Sequence, residues 1–282
     1  MNSLKLIRHI SSLTDISDIM SAMKYLSLME SNKLSRYIQH QKRAMRSIEL
    51  AVEDFLDFYP TLIEQNNSNI KILVILGSER GFCGNYNELL HNAVEGDSDE
   101  SFQVDSDTKI ITVGYKLHHK FEQNPQLYQN LNGPRLAEEI PDIITELLTS
   151  ISLFAQEQQA IQLTVLHHSA DKYKPVLRKI LPAFQEKKTH NATHSTPPLI
   201  HLSSTDLFYA LLDEYLFALL NQIFYAAFMS ENQYRIRHME NSLHKLSDNI
   251  SSLALKRNEI RQEEITEELE VIMLSSNELE NT

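Results

Sequence analysis

The chain has 282 residues, 42% of them hydrophobic, and a formal net charge of −12 at pH 7. This length allows one or two buried cores, and the absence of a long uncharged apolar run favours a soluble protein over one that spans a membrane. The negative charge, with no large basic patch to override it, argues against nucleic acid as a partner. Cys83 is the only cysteine and the N-terminal stretch lacks the apolar core of a signal peptide, so we expect no disulfide and a cytoplasmic setting.

Both ends of the chain are predicted to be long helices, because helix breakers are confined to the middle. Neither Gly nor Pro occurs before Pro60, no Gly follows Gly133 and no Pro follows Pro198. The predicted domains are an N-terminal helix in 1–66, a central domain in 67–202 and a C-terminal helix in 203–282. The N-terminal helix carries an apolar stripe at three-four spacing, which could bury a matching stripe on the C-terminal helix: Ile10, Leu13, Ile16, Met20, Met23 and Leu26, continued by Ile48, Val52, Phe55 and Tyr59.

The stretch ILVILGSERGFCGN, residues 72–85, predicts a buried strand that runs into a glycine loop, as at the start of many nucleotide-binding sites. No Lys follows the last glycine, as a Walker loop requires, and only Gly81 and Gly84 remain of a GxGxxG pattern. Glu79 would also repel a phosphate. The loop is therefore expected to be a tight structural turn or a contact loop, and Cys83 to be a small buried residue.

The central domain alternates between strand-like and helix-like segments, which predicts a small Rossmann-like α/β domain with a mostly parallel sheet. Helices are predicted near 85–95, 115–122 and 141–158, the last with Pro141 in its first turn. The polar stretch Glu186–Pro198 is expected to be an exposed loop. The predicted strands are Ile70–Leu76, Lys109–Gly114, Ile161–His167 and Leu199–Leu202.

The C-terminal helix carries a heptad pattern that predicts a coiled-coil seam. A helix from about residue 207 to 275 would be roughly 100 Å long and needs a partner, so we expect the two terminal helices to form an antiparallel pair. Beyond the seam, residues 259–282 hold eight Glu against Arg261 alone. The seam positions are Ile236, Met239, Leu243, Leu246, Ile250, Leu253 and Ile260, with Arg257 at the one polar position.

Three motifs resemble the gamma subunit of the F-type ATP synthase, its central rotor stalk, and the resemblance runs over nearly the whole chain. The loop SERGFCGNYN (78–87) is similar to the family's strand-end signature, and IMSAMK (19–24) to its N-terminal run. NEIRQEEITEEL (258–269) is the most specific, because six family positions match within its twelve residues. LSLMESNKLSRYIQHQKR (26–43) and EYLFALL (214–220) resemble in particular the divergent gamma subunits of the N-type ATPase, which implies sodium as a possible coupling ion.

The resemblance implies a non-catalytic subunit without cofactor or metal, which couples ion flow through a membrane ring to ATP synthesis or hydrolysis. Its partners would be the alpha and beta subunits, the epsilon subunit and the membrane ring of c subunits. It would lie peripherally at the cytoplasmic face of the bacterial inner membrane. By position, the residues implied in subunit contacts are Arg261, Gln262, Thr266, Met23, Lys24 and Arg80.

Plainer interpretations stay open for these residues. Met23 lies on the apolar stripe and would serve the seam, Arg261 and Gln262 could be solvated, and Arg80 could form a salt bridge inside the central domain.

A coiled-coil adaptor without a rotary function would share the long helices. An enzyme would need a cofactor loop or convergent polar groups, and adjacent histidines such as His167 and His168 cannot both point at one metal from a regular element.

Overall fold

A computed structural model of the chain describes residues 3–62, 70–96, 102, 104–105, 107–156, 161–169, 174–184 and 196–280. The chain divides into two compact units, one formed by residues 1–27 with 236–282 and the other by residues 28–235. We call them the paired-helix unit and the sheet unit. Their division falls inside the two longest helices, so the domain boundaries expected near residues 66 and 202 stay a prediction.

Along the sequence, one long helix precedes an alternating α/β segment and another long helix follows it. The helices are α1 (Ser3–Phe58), α2 (Tyr86–Glu95), α3 (Tyr115–Phe121), α4 (Ile140–Gln156) and α5 (Ser204–Glu280), with short 3₁₀ turns at Pro60–Leu62 and Ala137–Glu139. The strands are β1 (Ile70–Leu76), β2 (Lys109–Val113), β3 (Leu127–Leu131), β4 (Ile161–His168) and β5 (Pro175–Leu181).

One five-stranded sheet, in the order β3-β2-β1-β4-β5, forms the centre of the sheet unit. The first four strands run parallel and only β5 is antiparallel, to β4. β1 is central, and six of its seven residues are buried, because helices cover both faces of a doubly wound sheet and leave no polar side to the strand. The predicted α/β class with a mostly parallel sheet is confirmed.

Two core clusters lie on the two faces of this sheet. Alternate residues of β1 point to opposite faces, so Ile72 and Val74 join one cluster while Leu73 and Ile75 join the other. The first cluster includes residues of α1, α4 and α5, among them the α5 stretch 218–228. The second cluster is covered chiefly by α2 and α3. The sheet therefore packs the first half of α5 directly against its own face.

The strand predicted at Leu199–Leu202 is wrong, because this segment is not paired in the sheet. Leu199 is 88% exposed and Leu202 is 57% exposed. The strand at the edge of the sheet beside β4 is β5, which the sequence did not single out because it opens with Pro175 and alternates only partly. β3 was also missed, because its sequence LYQNL holds two polar residues and only Leu131 is buried. Of the exposed loop predicted at 186–198, residues 186–195 lie outside the described part of the chain. Residues 196–198 are described and are exposed.

The seam of the paired-helix unit follows the heptad pattern predicted on α5. Each of its positions from Ile236 to Ile260 is buried or half-buried, with Met239 fully buried. On α1, a regular four-three repeat of less exposed side chains starts at the buried Leu6 and includes Ser17, Lys24 and Ser27. The complete α1 repeat in this unit is Leu6, Ile10, Leu13, Ser17, Met20, Lys24 and Ser27.

Two members of the stripe predicted on α1 are therefore wrong. Ile16 is 46% exposed and Leu26 is 64% exposed, because the four-three repeat passes through their neighbours Ser17 and Ser27 instead. Met23 is half-buried beside the repeat. The predicted stripe followed apolar residues alone, whereas the less exposed positions in the structure include the polar residues Ser17, Lys24 and Ser27.

The two helices of this unit run antiparallel, as predicted. Lys24, near the end of the α1 segment, lies 3.8 Å from Glu240, near the start of the α5 segment. Burial on α5 fades after Ile260, and all described residues from Arg261 to Met273 are exposed. This register places the level of Arg261 beside the first described residues of α1.

Within Ser204–Met273 one helix is long and apolar enough to cross a membrane, judged by length and composition alone, since an 18-residue window reaches a mean hydropathy of 1.3. Core helices of globular proteins pass the same test. The α5 residues between Ala218 and Phe228 are largely buried in the first core cluster. Packing against the sheet accounts for this part of the apolar composition.

A charge placed in the seam tests the heptad repeat. We expect Leu246→Asp to lower the free energy of unfolding by about 2 kcal/mol, because the carboxylate would lose water without gaining a partner. Leu255→Asp is the matched control, since Leu255 is 66% exposed on the same helix. The measurement is thermal unfolding of both variants followed by circular dichroism. Equal melting temperatures for the two variants would contradict the seam.

Candidate functional site

The crevice where a doubly wound sheet usually binds its ligand is closed by α5. Such ligands lie beyond the carboxyl ends of the strands, where the strand order reverses, which in this sheet is at β1. There, side chains of Phe224, Phe228 and Glu231 from α5 leave a cavity of about 10 Å³. That volume corresponds to roughly one water molecule. The residue after β1, Gly77, lines this cavity, so the glycine loop opens onto protein and not onto a ligand pocket.

Glu79 accepts hydrogen bonds from backbone amides that a bound phosphate would otherwise use. Its carboxylate accepts hydrogen bonds from the amides of Tyr115 at 3.0 Å and Gly133 at 2.9 Å, and from the guanidinium of Arg135 at 3.2 Å. Burial raises the pKa of this carboxyl, but the two amides and Arg135 outweigh burial and lower it overall. An anion carried by the chain itself thus occupies the end of the sheet.

Two glycines around this loop are required by close packing. Gly77 lies against Leu117, whose Cβ would be 2.2 Å from any Cβ at position 77. Gly114 adopts φ +107°, and a Cβ there would lie 2.8 Å from the Ser78 carbonyl. The glycines therefore let the loop and the first turn of α3 approach each other.

A buried ion pair on α5 holds the middle of the loop. The guanidinium of Arg235 pairs with Glu231 and donates to the Gly81 carbonyl at 3.3 Å, to Asn232 Oδ1 at 3.0 Å and to the sulfur of Cys83 at 3.2 Å. Burial raises the pKa of Glu231 to about 6, against the lowering effect of Arg235. Burial likewise raises the pKa of Cys83 to about 12, so this thiol is packed and not activated.

The tip of the loop is exposed above this cluster. Phe82 is 52% exposed and has φ 62°, a conformation unusual for a bulky side chain. Arg80 is also exposed, and among the charges near Glu231 it contributes to lowering the pKa of that carboxyl. Arg80 is thus exposed at the surface of the sheet unit, and its charge still lowers the pKa of the buried Glu231.

The adjacent histidines at the end of β4 are packing residues. His168 is fully buried between the rings of Tyr86 and Tyr234 and hydrogen-bonds the Tyr86 carbonyl at 2.9 Å. Burial lowers the pKa of His168 to about 4 and also lowers that of His167, so both are neutral near pH 7. Among the residues that the structure describes, no group of three or more His, Cys, Asp or Glu side chains could hold a metal ion.

The residues implied in subunit contacts lie at separate places. Arg261, Gln262 and Thr266 are exposed on α5, and the Thr266 hydroxyl donates to the Gln262 carbonyl at 2.9 Å. Met23 and Lys24 are half-buried on α1. Lys24 pairs with Glu240, and Arg261 is 21 positions further along α5, roughly 30 Å away at the rise of an α-helix. The structure does not bring these two groups together.

Sequence reasoning missed the buried Glu231–Arg235 pair and the intramolecular contacts of Glu79. A signal for the pair was present, because Glu231 and Arg235 are spaced by four residues inside a strongly apolar stretch of α5. For Glu79 no such signal existed. Its partners Tyr115 and Gly133 are distant in the sequence and meet it only through the parallel arrangement of the strands.

The structure therefore combines an antiparallel two-helix coiled coil with a doubly wound α/β sheet whose ligand crevice is filled by its own helix. A family model described as ATP synthase matches residues 3–278, and the chain belongs to this family. The ATP synthase gamma chain of Clostridium botulinum (strain Kyoto / Type A2) is 28% identical over 281 residues, which cover 94% of each chain. The gamma chain of Rickettsia felis is 24% identical, over 98% of this chain and 99% of its own. The resemblance to the gamma subunit is confirmed.

Solved structures with the same fold are also ATP synthase components. The chain aligns with a component of the Tetrahymena thermophila mitochondrial ATP synthase central stalk and c-ring at a TM-score of 0.56 and 15% identity, covering 79% of this chain and 99% of that one. A chain of the Euglena gracilis mitochondrial ATP synthase in rotational state 3 aligns at a TM-score of 0.53 and 15% identity, over 92% of this chain and 95% of that one. At these identities the likeness concerns the fold.

Replacing Glu79 tests whether its carboxylate stabilises the end of the sheet. We expect Glu79→Gln to lower the free energy of unfolding at pH 7 by about 2 kcal/mol, because the charge-assisted bonds to two amides and Arg135 are lost. The folded pKa of Glu79 lies below its ordinary value of 4.5, so this stabilisation is present above pH 4.5 and disappears as the pH falls through the folded pKa. The difference between wild type and variant should therefore shrink in acid.

The measurement is chemical unfolding of both proteins at pH 7 and at several values below 4.5. Glu146→Gln is the control, because Glu146 is exposed on α4 and makes no ion pair with a described residue. A difference that stayed constant with pH would show that the carboxylate charge is not what stabilises this site.

Proposed function

We propose that this chain is the central-stalk rotor subunit of an F-type ATP synthase. The observation that carries the proposal is the end of the paired-helix unit. The seam with α1 stops at Ile260, yet α5 continues as a helix to Glu280 and is exposed at every described side chain beyond that point. Ile265 is 47% exposed and Leu269 is 55% exposed on this stretch, and exposed apolar side chains on a helix support a contact with another protein.

The two relatives that match 94% and 98% of the chain are gamma chains, which supports a stalk that stands inside a ring of alternating subunits. Such a stalk turns within the ring and offers each catalytic site a different face in succession. Each face favours one conformation of the adjacent site by as much as its contacts differ between the conformations. Torque passes along the helices because relative rotation would disturb the packed side chains of the seam.

The proposed contacts with the ring are the residues that the family motifs point to. Arg261 offers a planar set of hydrogen-bond donors, and Gln262 can both donate and accept. These groups suit a partner loop whose carboxylates and carbonyls approach and leave the stalk during rotation. Thr266 lies one turn further along the same exposed stretch. Met23 and Lys24 are proposed to face the ring nearer its opening, and Arg80 to contact a partner from the sheet unit.

The remaining partners follow from the same proposal. The sheet unit would rest on the membrane ring of c subunits and hold the epsilon subunit, and the alpha and beta subunits would form the surrounding ring. The chain would thus be a peripheral component at the cytoplasmic face of the bacterial inner membrane. Nucleotide chemistry belongs to the ring, which agrees with an α/β crevice filled by Phe224 and Phe228. The coupling ion, proton or sodium, is selected by the membrane ring.

Assembly with the ring tests the function. We expect the purified chain to hydrolyse no ATP, and to form a single copy in a complex with three alpha and three beta subunits when the three proteins of one operon are co-expressed. Native mass spectrometry gives the stoichiometry and a coupled assay gives the turnover. A chain that stayed apart from these subunits, or that bound them without changing ATP turnover, would indicate an adaptor in place of a rotor.

The contact residues are tested in the assembled complex. We expect Arg261→Ala combined with Gln262→Ala to leave assembly intact and to slow ATP turnover several-fold, because each lost charge-assisted bond removes roughly 1.5–3 kcal/mol of preference for one catalytic conformation. Ser251→Ala with Ser252→Ala is the control, since both serines are exposed on the same helix. Equal turnover in the two double variants would mark Arg261 and Gln262 as ordinary surface.

A further inference from the structure

A short segment of α1 is fixed by polar contacts to the turn that precedes α4. Glu30 accepts a hydrogen bond from the Ala137 amide at 2.8 Å, so a side chain of α1 satisfies an amide at the start of this 3₁₀ turn. Lys33, three residues further along α1, forms an ion pair with Glu138 of the same turn. The turn leads directly into α4, and Ala137 is fully buried. All of these residues belong to the sheet unit.

Lys33 and Glu138 stabilise each other's charged form. Their mutual hydrogen bond raises the pKa of Lys33 and lowers the pKa of Glu138. The hydroxyl of Tyr37, four residues after Lys33, also donates to the Glu138 carboxylate and lowers its pKa further. Glu30, Lys33 and Tyr37 are spaced by three and four residues, so they lie on one face of α1. This face of the helix is therefore bound to a single turn at three points.

A neighbouring face of α1 packs against the core and α5. Leu34 is fully buried in the first core cluster, the Ser31 hydroxyl donates to the sulfur of Met229 at 3.0 Å, and Tyr37 stacks on Tyr225. Apolar burial is non-directional, so by itself it would allow α1 to turn or slide against its neighbours. Hydrogen bonds and ion pairs require defined distances and angles. The polar contacts to the turn therefore fix the rotation of α1 about its own axis.

We propose that Glu30 and Lys33, which we call the α1 anchor, are positioning residues that transmit torque between the sheet and α1. The proposed rotor function supplies the torque, and this assignment rests on it. The paired-helix unit and the sheet unit are joined by α1 and α5, because the division of the chain falls inside both helices. α5 is held to the sheet by its buried stretch from Ala218 to Phe228.

α1 enters the sheet unit at residue 28, so the α1 anchor lies where rotation of the sheet unit passes into this helix. Without the anchor, α5 would carry most of the load, and the seam between the two helices would shift when the stalk is twisted. The effect should appear when the rotor works against a load and should be absent when it turns freely.

The α1 anchor adds little to stability, which makes its mechanical role measurable. The side chains of Lys33 and Glu138 are 40% and 51% exposed, and ion pairs at such exposure contribute little to the free energy of unfolding. Removing the anchor should therefore leave the chain folded and assembled. A defect that appears only under load then reports transmission and not folding.

The test uses the complete ATP synthase, with its membrane ring, in sealed lipid vesicles. The anchor variant is Glu30→Ala with Lys33→Ala, and the control is Lys42→Ala with Asp57→Ala, two exposed charges on the same helix. ATP hydrolysis is measured with an ionophore that removes the ion gradient, and ATP synthesis is measured with an imposed gradient. We expect the anchor variant to hydrolyse ATP at the wild-type rate without load and to synthesise ATP several-fold more slowly, while the control behaves as wild type in both assays.

Conservative and exchanged variants separate positioning from a simple loss of packing. Glu30→Gln keeps an oxygen that can accept from the Ala137 amide, so we expect it to synthesise ATP faster than Glu30→Ala. Lys33→Glu should slow synthesis, because two carboxylates then face each other. Combining it with Glu138→Lys should restore the rate, since the pair is rebuilt with its charges exchanged.

Synthesis equal to that of the control in the anchor variant would overturn the assignment. Loss of assembly, or an equal fall in synthesis and in unloaded hydrolysis, would also overturn it, because the residues would then be structural only. The same conclusion would follow if the exchanged pair failed to recover. A wild-type chain that never enters a complex with alpha and beta subunits would refute the proposed rotor itself, which distinguishes failure of the function from failure of the α1 anchor.

Discussion

The burial of one apolar stretch of α5 against the sheet is the interaction on which the rest of the sheet unit depends. Residues from Ala218 to Phe228 join the core cluster on that face together with residues of α1 and α4. Tyr225 stacks on Tyr37 of α1 with ring centroids 5.5 Å apart, and Met229 accepts a hydrogen bond from Ser31 at 3.0 Å. One helix thereby completes the core, positions α1 and fills the crevice of the sheet.

The filling of that crevice changes what the α/β fold can do. In a doubly wound sheet the carboxyl ends of the strands present free amides, and these amides usually attract an anionic ligand. Here Glu79 satisfies two of them, and the side chains of α5 occupy the space beyond. The fold keeps its architecture while its ligand site has become part of the core.

Buried charges in this region are tolerated because each one is surrounded by partners. Arg235 donates to four acceptors and Glu79 accepts from three donors, so the cost of removing these groups from water is offset by directed bonds. Their effect is to hold the loop that carries Arg80 and Phe82 in one conformation. A rigid loop presents its exposed side chains without losing further conformational entropy on contact.

The sequence by itself determined the features that arise from neighbouring residues. The apolar run of β1, the breaker-free ends and the heptad repeat of α5 required no knowledge of the partner, because hydrophobic periodicity reports local burial. The tertiary structure decided the features that depend on which elements meet. It placed β5 and not residues 199–202 at the sheet edge, since edge strands carry a weak pattern. It selected Ser17 and Lys24 over Ile16 for the α1 seam, because register depends on the packing of two helices. It also brought Glu79 to amides 36 and 54 residues away, a contact that only the sheet topology creates.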